Sequence, residues 1–146
     1  MNHTRNFESM RLEGVMEIVL IEMSKLLPHE EIKQKNLRKL IDLVKKRGGI
    51  FEPILVDRET KTLLDGHHRY NTALHLGLKF IPGIEVDYLG DESIQVESWP
   101  GKEEMEITKQ SVLSMAKSGN LYPPKTSKHT ISIEYPKRFF SLEELS

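Results

Sequence analysis

The amino-acid sequence predicts an α+β domain, on three observations. Apolar runs of strand length share the chain with stretches of helical spacing. Two of the strand candidates, Ile54, Leu55, Val56, Asp57 and Lys61, Thr62, Leu63, Leu64, flank the short polar turn Arg58, Glu59, Thr60, which reads as a hairpin and argues against a doubly wound parallel sheet. The length, 146 residues with 38% hydrophobic side chains, suits one domain with a modest core.

In chain order, residues 1–13 read as a polar, flexible lead-in and residues 14–146 as a single domain. Residues 15–23 are rich in branched side chains and predict a strand. Pro28 breaks the pattern, because proline excludes helix at the residue before it. Leu37, Leu40, Ile41 and Val44 recur at helical spacing, Lys45, Lys46 and Arg47 suit a helix C-terminus, and Gly48 with Gly49 ends it. After the hairpin a helix runs from His67 to about Gly77. Residues 81–86 and 94–99 are two further strands. Thr108 is placed to cap a helix that Gly119 closes. Residues 122–129 predict a loop through Pro123 and Pro124, residues 130–133 a last strand, and Ser141 the cap of a short terminal helix.

Composition removes several classes of function. A net charge of −1 lacks the basic excess of a general nucleic-acid binder. With no cysteine, disulfides, thiolate zinc sites and thiol nucleophiles are excluded. No apolar run approaches the ~20 residues that span a bilayer, and the first residues lack the apolar segment of a secretory signal. The expectation is a cytoplasmic protein with no membrane and no nucleic-acid partner.

Asp65, Gly66, His67, His68 and Arg69 concentrate the chemistry. They lie where a strand turns into a helix, and free backbone N–H groups with the positive end of the helix dipole favour an anion there. Gly66 permits a sharp turn and close approach of a ligand, Arg69 can grip phosphate oxygens with two N–H groups, and the histidines can donate to an oxyanion. Asp65 can orient a histidine, hold a metal or take a proton. The bland alternative is a helix start capped by Asp65, with its polar side chains in solvent. Zinc fits less well, since adjacent histidines on a helix diverge.

Three more segments carry a chemical and a structural reading each. In Pro28, His29, Glu30, Glu31 the carboxylates suit either a helix start or a general base near a substrate hydroxyl. Lys125, Thr126, Ser127, Lys128 and His129 form either a solvated loop or a cradle for a carboxylate or phosphate. Trp99, the one tryptophan, is either a core side chain or the wall of a pocket at a strand end. The glycine-rich Walker loop and the protein-kinase signatures are absent, so phosphoryl transfer here needs another scaffold.

Together these segments resemble the ParB/sulfiredoxin-like superfamily, whose core binds nucleotide phosphates at a strand–turn–helix of this kind. Sulfiredoxin carries a catalytic cysteine where this chain has His67, so that activity is excluded. ParB proper adds a DNA-binding module, and the roughly seventy residues after Arg69 are not basic. The free L-serine kinases are similar at four places in the same order: Pro28, His29 and Glu30; the turn from Asp65 to Arg69; Trp99; and Pro124 through His129, close to that family's Pro-Lys-Thr-Thr-Arg-His loop. Better-known members insert a long segment before that loop, whereas about 25 residues join Trp99 to Pro124 here.

The resemblance implies a single-domain fold with a small mixed sheet and helices packed around it. It implies transfer of a phosphoryl group from ATP or ADP, with Mg2+, to free L-serine, giving O-phospho-L-serine for cysteine biosynthesis. Glu30 would be the base, Asp65 and His68 would assist catalysis, and Gly66, His67, His68 and Arg69 would hold the phosphates. Trp99, Lys125, Thr126, Ser127, Lys128 and His129 would bind serine. The alternative is a ParB-like nucleotide-binding regulatory protein without metabolite kinase activity.

Overall fold

The computed structural model describes residues 17–132 and 134–146. The elements run β1 (Val19–Glu22), a 3-10 turn (Met23–Lys25), α1 (Gln34–Arg47), β2 (Gly49–Ile50), β3 (Ile54–Asp57), β4 (Leu63–Asp65), α2 (His67–His75), β5 (Phe80–Val86), β6 (Ile94–Ser98), α3 (Lys109–Ser118), β7 (Ser127–Ile131), β8 (Phe140–Ser141) and α4 (Leu142–Leu145). The main sheet has the order β1-β5-β3-β4. β5 runs antiparallel to β1 and parallel to β3, and β3 pairs antiparallel with β4, so the sheet is mixed and the expected hairpin forms. β6 with β7 and β2 with β8 make two separate antiparallel ribbons.

The pleat of the sheet divides the core in two. Ile54, Val56, Leu63 and Ile81 point to one face, where they meet Val44, Ala73, Phe140 and Leu145. Leu55, Leu64, Ile84 and Val86 point to the other, against Tyr88, Ile94, Ile107 and Val112. Alternation along a strand sends successive side chains to opposite faces, so a strand whose residues are all buried, as in β3, must be covered on both sides. At about 25 cal/mol per Å2, each such fully buried branched side chain contributes roughly 1.5–3 kcal/mol.

Local signals match the helix ends. Gly48 closes α1 in the left-handed region at φ 78°. Thr108 and Ser111 form a reciprocal capping box at α3, as do Ser141 and Glu144 at α4.

Several expectations need adjustment. The first strand occupies Val19–Glu22, and Met23 opens the 3-10 turn; residues 15 and 16, with the lead-in 1–13, lie outside the described residues. The last strand starts three residues before residue 130, at Ser127, and Ile133 lies outside the described residues. Its polar residues hid it, because their strand state comes from pairing with β6 in the register Ser98–Ser127, Glu97–Lys128, Val96–His129. β2 and β8 had no sequence pattern of their own and form by pairing with each other.

Two single bridges position the site. Leu27 pairs with Thr62, and Glu30 pairs with Tyr122. They draw the segment 27–31 between β4, from the residue before its start, and the residues that lead into β7. No helix among the described residues is long and apolar enough to cross a membrane.

Candidate active site

The site begins where β4 becomes α2. Asp65 ends the strand and Gly66 turns the chain at φ 105° and ψ 31°. A β-carbon at Gly66 would stand 2.6 Å from Ile54 Cγ2 and 3.1 Å from Arg69 Nη2, so the turn requires glycine for both its conformation and its space. Asp65 does not cap α2, which has no side-chain cap. The first-turn N–H groups therefore have no side-chain acceptor at the helix start.

Both histidines of the turn are pinned by the backbone of residues 29–33. The His29 N–H donates to His67 Nε2 at 3.1 Å, and the Lys33 N–H donates to His68 Nε2 at 3.2 Å. A ring nitrogen that accepts carries no hydrogen, so each neutral imidazole has its hydrogen on Nδ1. Burial, followed by the neighbouring imidazoles of His29, His129 and His68, holds His67 well below the usual histidine range. His68 is lowered by burial and then by Lys125, Arg69 and Lys33. Both are thus neutral donors at pH 7. The positive charge comes from Arg69, Lys125 and Lys128. Arg69 Nη2 donates to the Pro53 carbonyl at 3.3 Å, and its Nε is a buried N–H with no partner among the described residues.

Glu30 meets this turn from the segment 27–31. Its carboxylate accepts from three successive amides: Lys125 at 3.2 Å, Thr126 at 3.3 Å and Ser127 at 2.9 Å. Lys125 sits in the left-handed region at φ 55°, which helps turn these N–H groups onto one carboxylate, Lys125 onto Oε2 and the other two onto Oε1. Ser127 Oγ also lies 2.9 Å from Glu30 Oε1. Burial raises the Glu30 carboxyl, and the bonds from Ser127, Thr126 and Lys125 oppose that rise. Such a carboxylate is held in position and is more basic than an exposed one.

The remaining wall is built on the β6–β7 ribbon. Trp99 follows β6; its Nε1 donates to the Ser127 carbonyl at 3.1 Å and its N–H to the Thr126 carbonyl at 3.0 Å. The Lys125 and Lys128 ammonium groups stand over the indole at 5.4 and 5.3 Å from its centre. His129 meets the Tyr88 hydroxyl at 2.8 Å, and burial followed by His29 and Lys109 lowers its pKa to about 3.

Glu30, Asp65, Gly66, His67, His68, Arg69, Trp99, Lys125, Ser127, Lys128 and His129 line one cavity of about 430 Å3, together with Glu31, Leu64 and Pro124. That is within the usual size of small-molecule sites. Thr126 departs from the expected contact with serine: it is fully buried, its hydroxyl donates to the Pro123 carbonyl at 2.8 Å, and only its amide reaches Glu30. Among the described residues no cluster of three His, Asp or Glu side chains could hold a metal ion by itself.

Three residues behind or beside the cavity escaped the sequence. His29 is fully buried behind Glu30, and its place beside that residue was the one available signal. Tyr88 and Tyr135 had none. The Tyr135 phenol is raised by burial and by Asp65 and lowered by Arg69, so both charges of the turn reach it.

No family model matches the chain. It is 38% identical to an ATP-dependent L-serine kinase of Staphylothermus marinus over 88 residues, 58% of this chain and 34% of that protein. It is 37% identical to a ParB-like protein of Sulfolobus acidocaldarius over 79 residues, 54% of this chain and 39% of that one. An ADP-dependent L-serine kinase of Thermococcus kodakarensis is 33% identical over 88 residues, 58% of this chain and 36% of that protein. The matched stretch thus spans little more than a third of each curated relative's length. Among solved structures, a free serine kinase in complex with AMP superposes with a TM-score of 0.80 at 20% identity, over 90% of this chain and 94% of that one. In sequence this chain is similar, over little more than half its length, to L-serine kinases and to a ParB-like protein, and it shares the fold of the free serine kinase.

Proposed function

We propose that this chain is a small-molecule kinase that transfers the terminal phosphoryl group of ATP or ADP to the hydroxyl of free L-serine, giving O-phospho-L-serine. The observation that carries this reading is the shared cavity: a fixed, basic carboxylate at Glu30 opens onto the same space as the uncapped start of α2 and the Arg69 guanidinium. The Arg69 guanidinium on the cavity wall and the uncapped first-turn amides suit phosphate oxygens. The names of the sequence relatives support serine as acceptor and ATP or ADP as donor, and the AMP complex of a structural neighbour supports a nucleotide site in this fold.

In this reading Gly66, His67, His68 and Arg69 hold the phosphates and receive the charge that develops on them. Phosphoryl transfer depends mainly on positioning and electrostatics, so this turn supplies most of the rate. Lys125 and Lys128, steadied over Trp99, take the carboxylate of serine, and Trp99 with His129 bounds its side chain. Thr126 and Ser127 act on Glu30 through their amides. As the serine oxygen bonds to phosphorus and the donor's P–O bond breaks, the hydroxyl proton passes to Glu30. Mg2+ suits the site, because Asp65 and Glu31 are exposed carboxylates on the cavity wall and the phosphates supply further oxygen ligands. It would neutralise phosphate charge, with Asp65 the nearer holder by its place on the turn. The cytoplasm, which holds both free serine and nucleotide, is the setting this chemistry implies.

The ParB-like relative favours a second reading, a regulator that binds nucleotide without phosphorylating a metabolite. Phosphorus NMR of the protein with Mg2+, serine and either ATP or ADP separates the two. A phosphoserine resonance supports the kinase. Bound nucleotide with slow hydrolysis, and no phosphoserine from either donor, overturns it in favour of the regulator.

A further inference from the structure

His29, Ser127 and Glu30 form a continuous chain of contacts behind the cavity. His29 Nδ1 lies 2.8 Å from the Leu63 carbonyl oxygen, His29 Nε2 lies 2.9 Å from Ser127 Oγ, and Ser127 Oγ lies 2.9 Å from Glu30 Oε1. Each contact needs one hydrogen. A carbonyl oxygen only accepts, so Nδ1 carries the hydrogen of a neutral His29. Ser127 brings one more. When Glu30 is ionised, three contacts therefore share two hydrogens, and Ser127 can serve Glu30 or His29 but not both. His29 is fully buried, so no solvent reaches Nε2 to replace the missing donor.

We propose that His29 and Ser127 are positioning residues that tune Glu30 as a base: the chain is one hydrogen short when Glu30 is ionised, and taking a proton from the acceptor completes it. The origin of that proton rests on the kinase reading; the chain itself does not. In the reaction the acceptor's O–H bond breaks as its O–P bond forms, and the proton goes to the Glu30 carboxyl. With the proton on Oε1, Glu30 then donates to Ser127 Oγ, and the Ser127 hydroxyl turns from Glu30 to His29 Nε2 without breaking any covalent bond. Oε1 keeps one of the two amides it accepts, that of Ser127 at 2.9 Å, and gives up the longer one, that of Thr126 at 3.3 Å. The arrangement answers a conflict in the site. The three amides of Lys125, Thr126 and Ser127 favour the carboxylate and alone would make it a poor proton acceptor. The unfinished chain works against them.

The electrostatics place the third hydrogen on Glu30 and not on His29. Burial raises the Glu30 carboxyl, against the lowering effect of the amides of Ser127, Thr126 and Lys125 and of the Ser127 hydroxyl while it donates to Glu30. Burial holds His29 down at about 4, against the raising effect of the Leu63 carbonyl. Because His29 competes for the hydroxyl's hydrogen, the sign of the hydroxyl's effect on Glu30 is reversed. His29 faces the rings of His67 at 4.6 Å, His129 at 5.9 Å and Tyr122 at 6.3 Å. Glu30 shares the cavity with Glu31, Asp65, His68, Arg69, Lys125 and Lys128. None of these is altered in Ser127→Ala, so their influence cancels in that comparison.

The test is an NMR titration of the full chain without substrate, following the Glu30 side-chain carbon and the His29 ring nitrogens. Ser127→Ala should lower the Glu30 midpoint by roughly half to one pH unit, the weight of one hydrogen bond. Ser127→Thr, which keeps the hydroxyl, should restore it. His29→Asn, which keeps a donor toward Leu63 but offers nothing at the Nε2 position, should lower it as Ser127→Ala does. A midpoint that rises in Ser127→Ala means that the hydroxyl merely donates to the carboxylate, and overturns the proposal; an unchanged midpoint overturns it as well. The amide spectrum of each variant verifies the fold, and Ser127→Ala removes a single oxygen, so the test stands even if His29→Asn fails to fold. Since no turnover is measured, a chain that titrates as expected in a protein making no phosphoserine would reject the kinase reading alone.

Discussion

Acidification should destabilise this protein well above the pH at which carboxylates titrate. His29 is fully buried, His67 is 8% exposed, and the rings of His67 and His129 lie 4.6 and 5.9 Å from that of His29. Burial lowers all three, His29 to about 4 and His129 to about 3. In the unfolded chain each returns to about 6.5. Between that value and the folded one the unfolded state binds more protons, so stability falls as pH falls. From pH 7 to pH 5, one histidine that stays neutral when folded and titrates at about 6.5 when unfolded loses about 2 kcal/mol. His29 and His67 together give about 4 kcal/mol on the same linkage, a large share of the ~5–15 kcal/mol that holds a domain together. His129 is partly exposed and adds less. Glu30 opposes the trend, because its raised folded pKa lets the native state take up a proton first as pH falls. Urea unfolding at pH 7 and pH 5 measures the difference, with the midpoint shifting and the slope unchanged. Stabilities that agree within about 1 kcal/mol would refute the buried, neutral histidine cluster, since even one such histidine exceeds that.

Three substitutions probe the site itself. Gly66→Ala places a methyl group 2.6 Å from Ile54 Cγ2 in a left-handed backbone, and should cost roughly 2–4 kcal/mol of stability from strain and overpacking, read from the melting temperature; an unshifted transition would show that the turn is not pinned. Arg69→Ala should weaken nucleotide binding about 10- to 100-fold in calorimetry by removing a charge-assisted fork, and unchanged affinity would take phosphate away from this turn. Glu30→Gln should retain nucleotide binding and lose ~100-fold or more in turnover; if Glu31→Gln abolishes activity instead, the base is the neighbouring carboxylate.

Much of the fold was legible because its signals are local. Gly48 ends α1, Thr108 and Ser141 cap their helices, and the Arg58, Glu59, Thr60 turn joins β3 to β4, each through contacts within four residues. The turn from Asp65 to Arg69 was legible for the same reason. Glycine at φ 105° and a helix start without a side-chain cap are properties of the segment itself. What the sequence could not decide was partnership across long separations. Ser127, Lys128 and His129 read as loop because their strand state depends on β6, about thirty residues earlier. Thr126 read as a ligand for serine, but the closing of its loop over Glu30 buried it.

Glu30 shows the division most clearly. The sequence alone determined that this chain has a carboxylate after Pro28 and His29, a glycine turn at Gly66 that opens a helix, and a cationic loop after Pro124. Tertiary structure decided that Glu30, 97 residues from Ser127, accepts its amide and touches its hydroxyl, and that the same hydroxyl touches His29. The physical reason is range. Backbone conformation and capping are set within a turn or two of chain, whereas the proton affinity of a buried carboxylate depends on every donor around it, wherever in the sequence that donor lies.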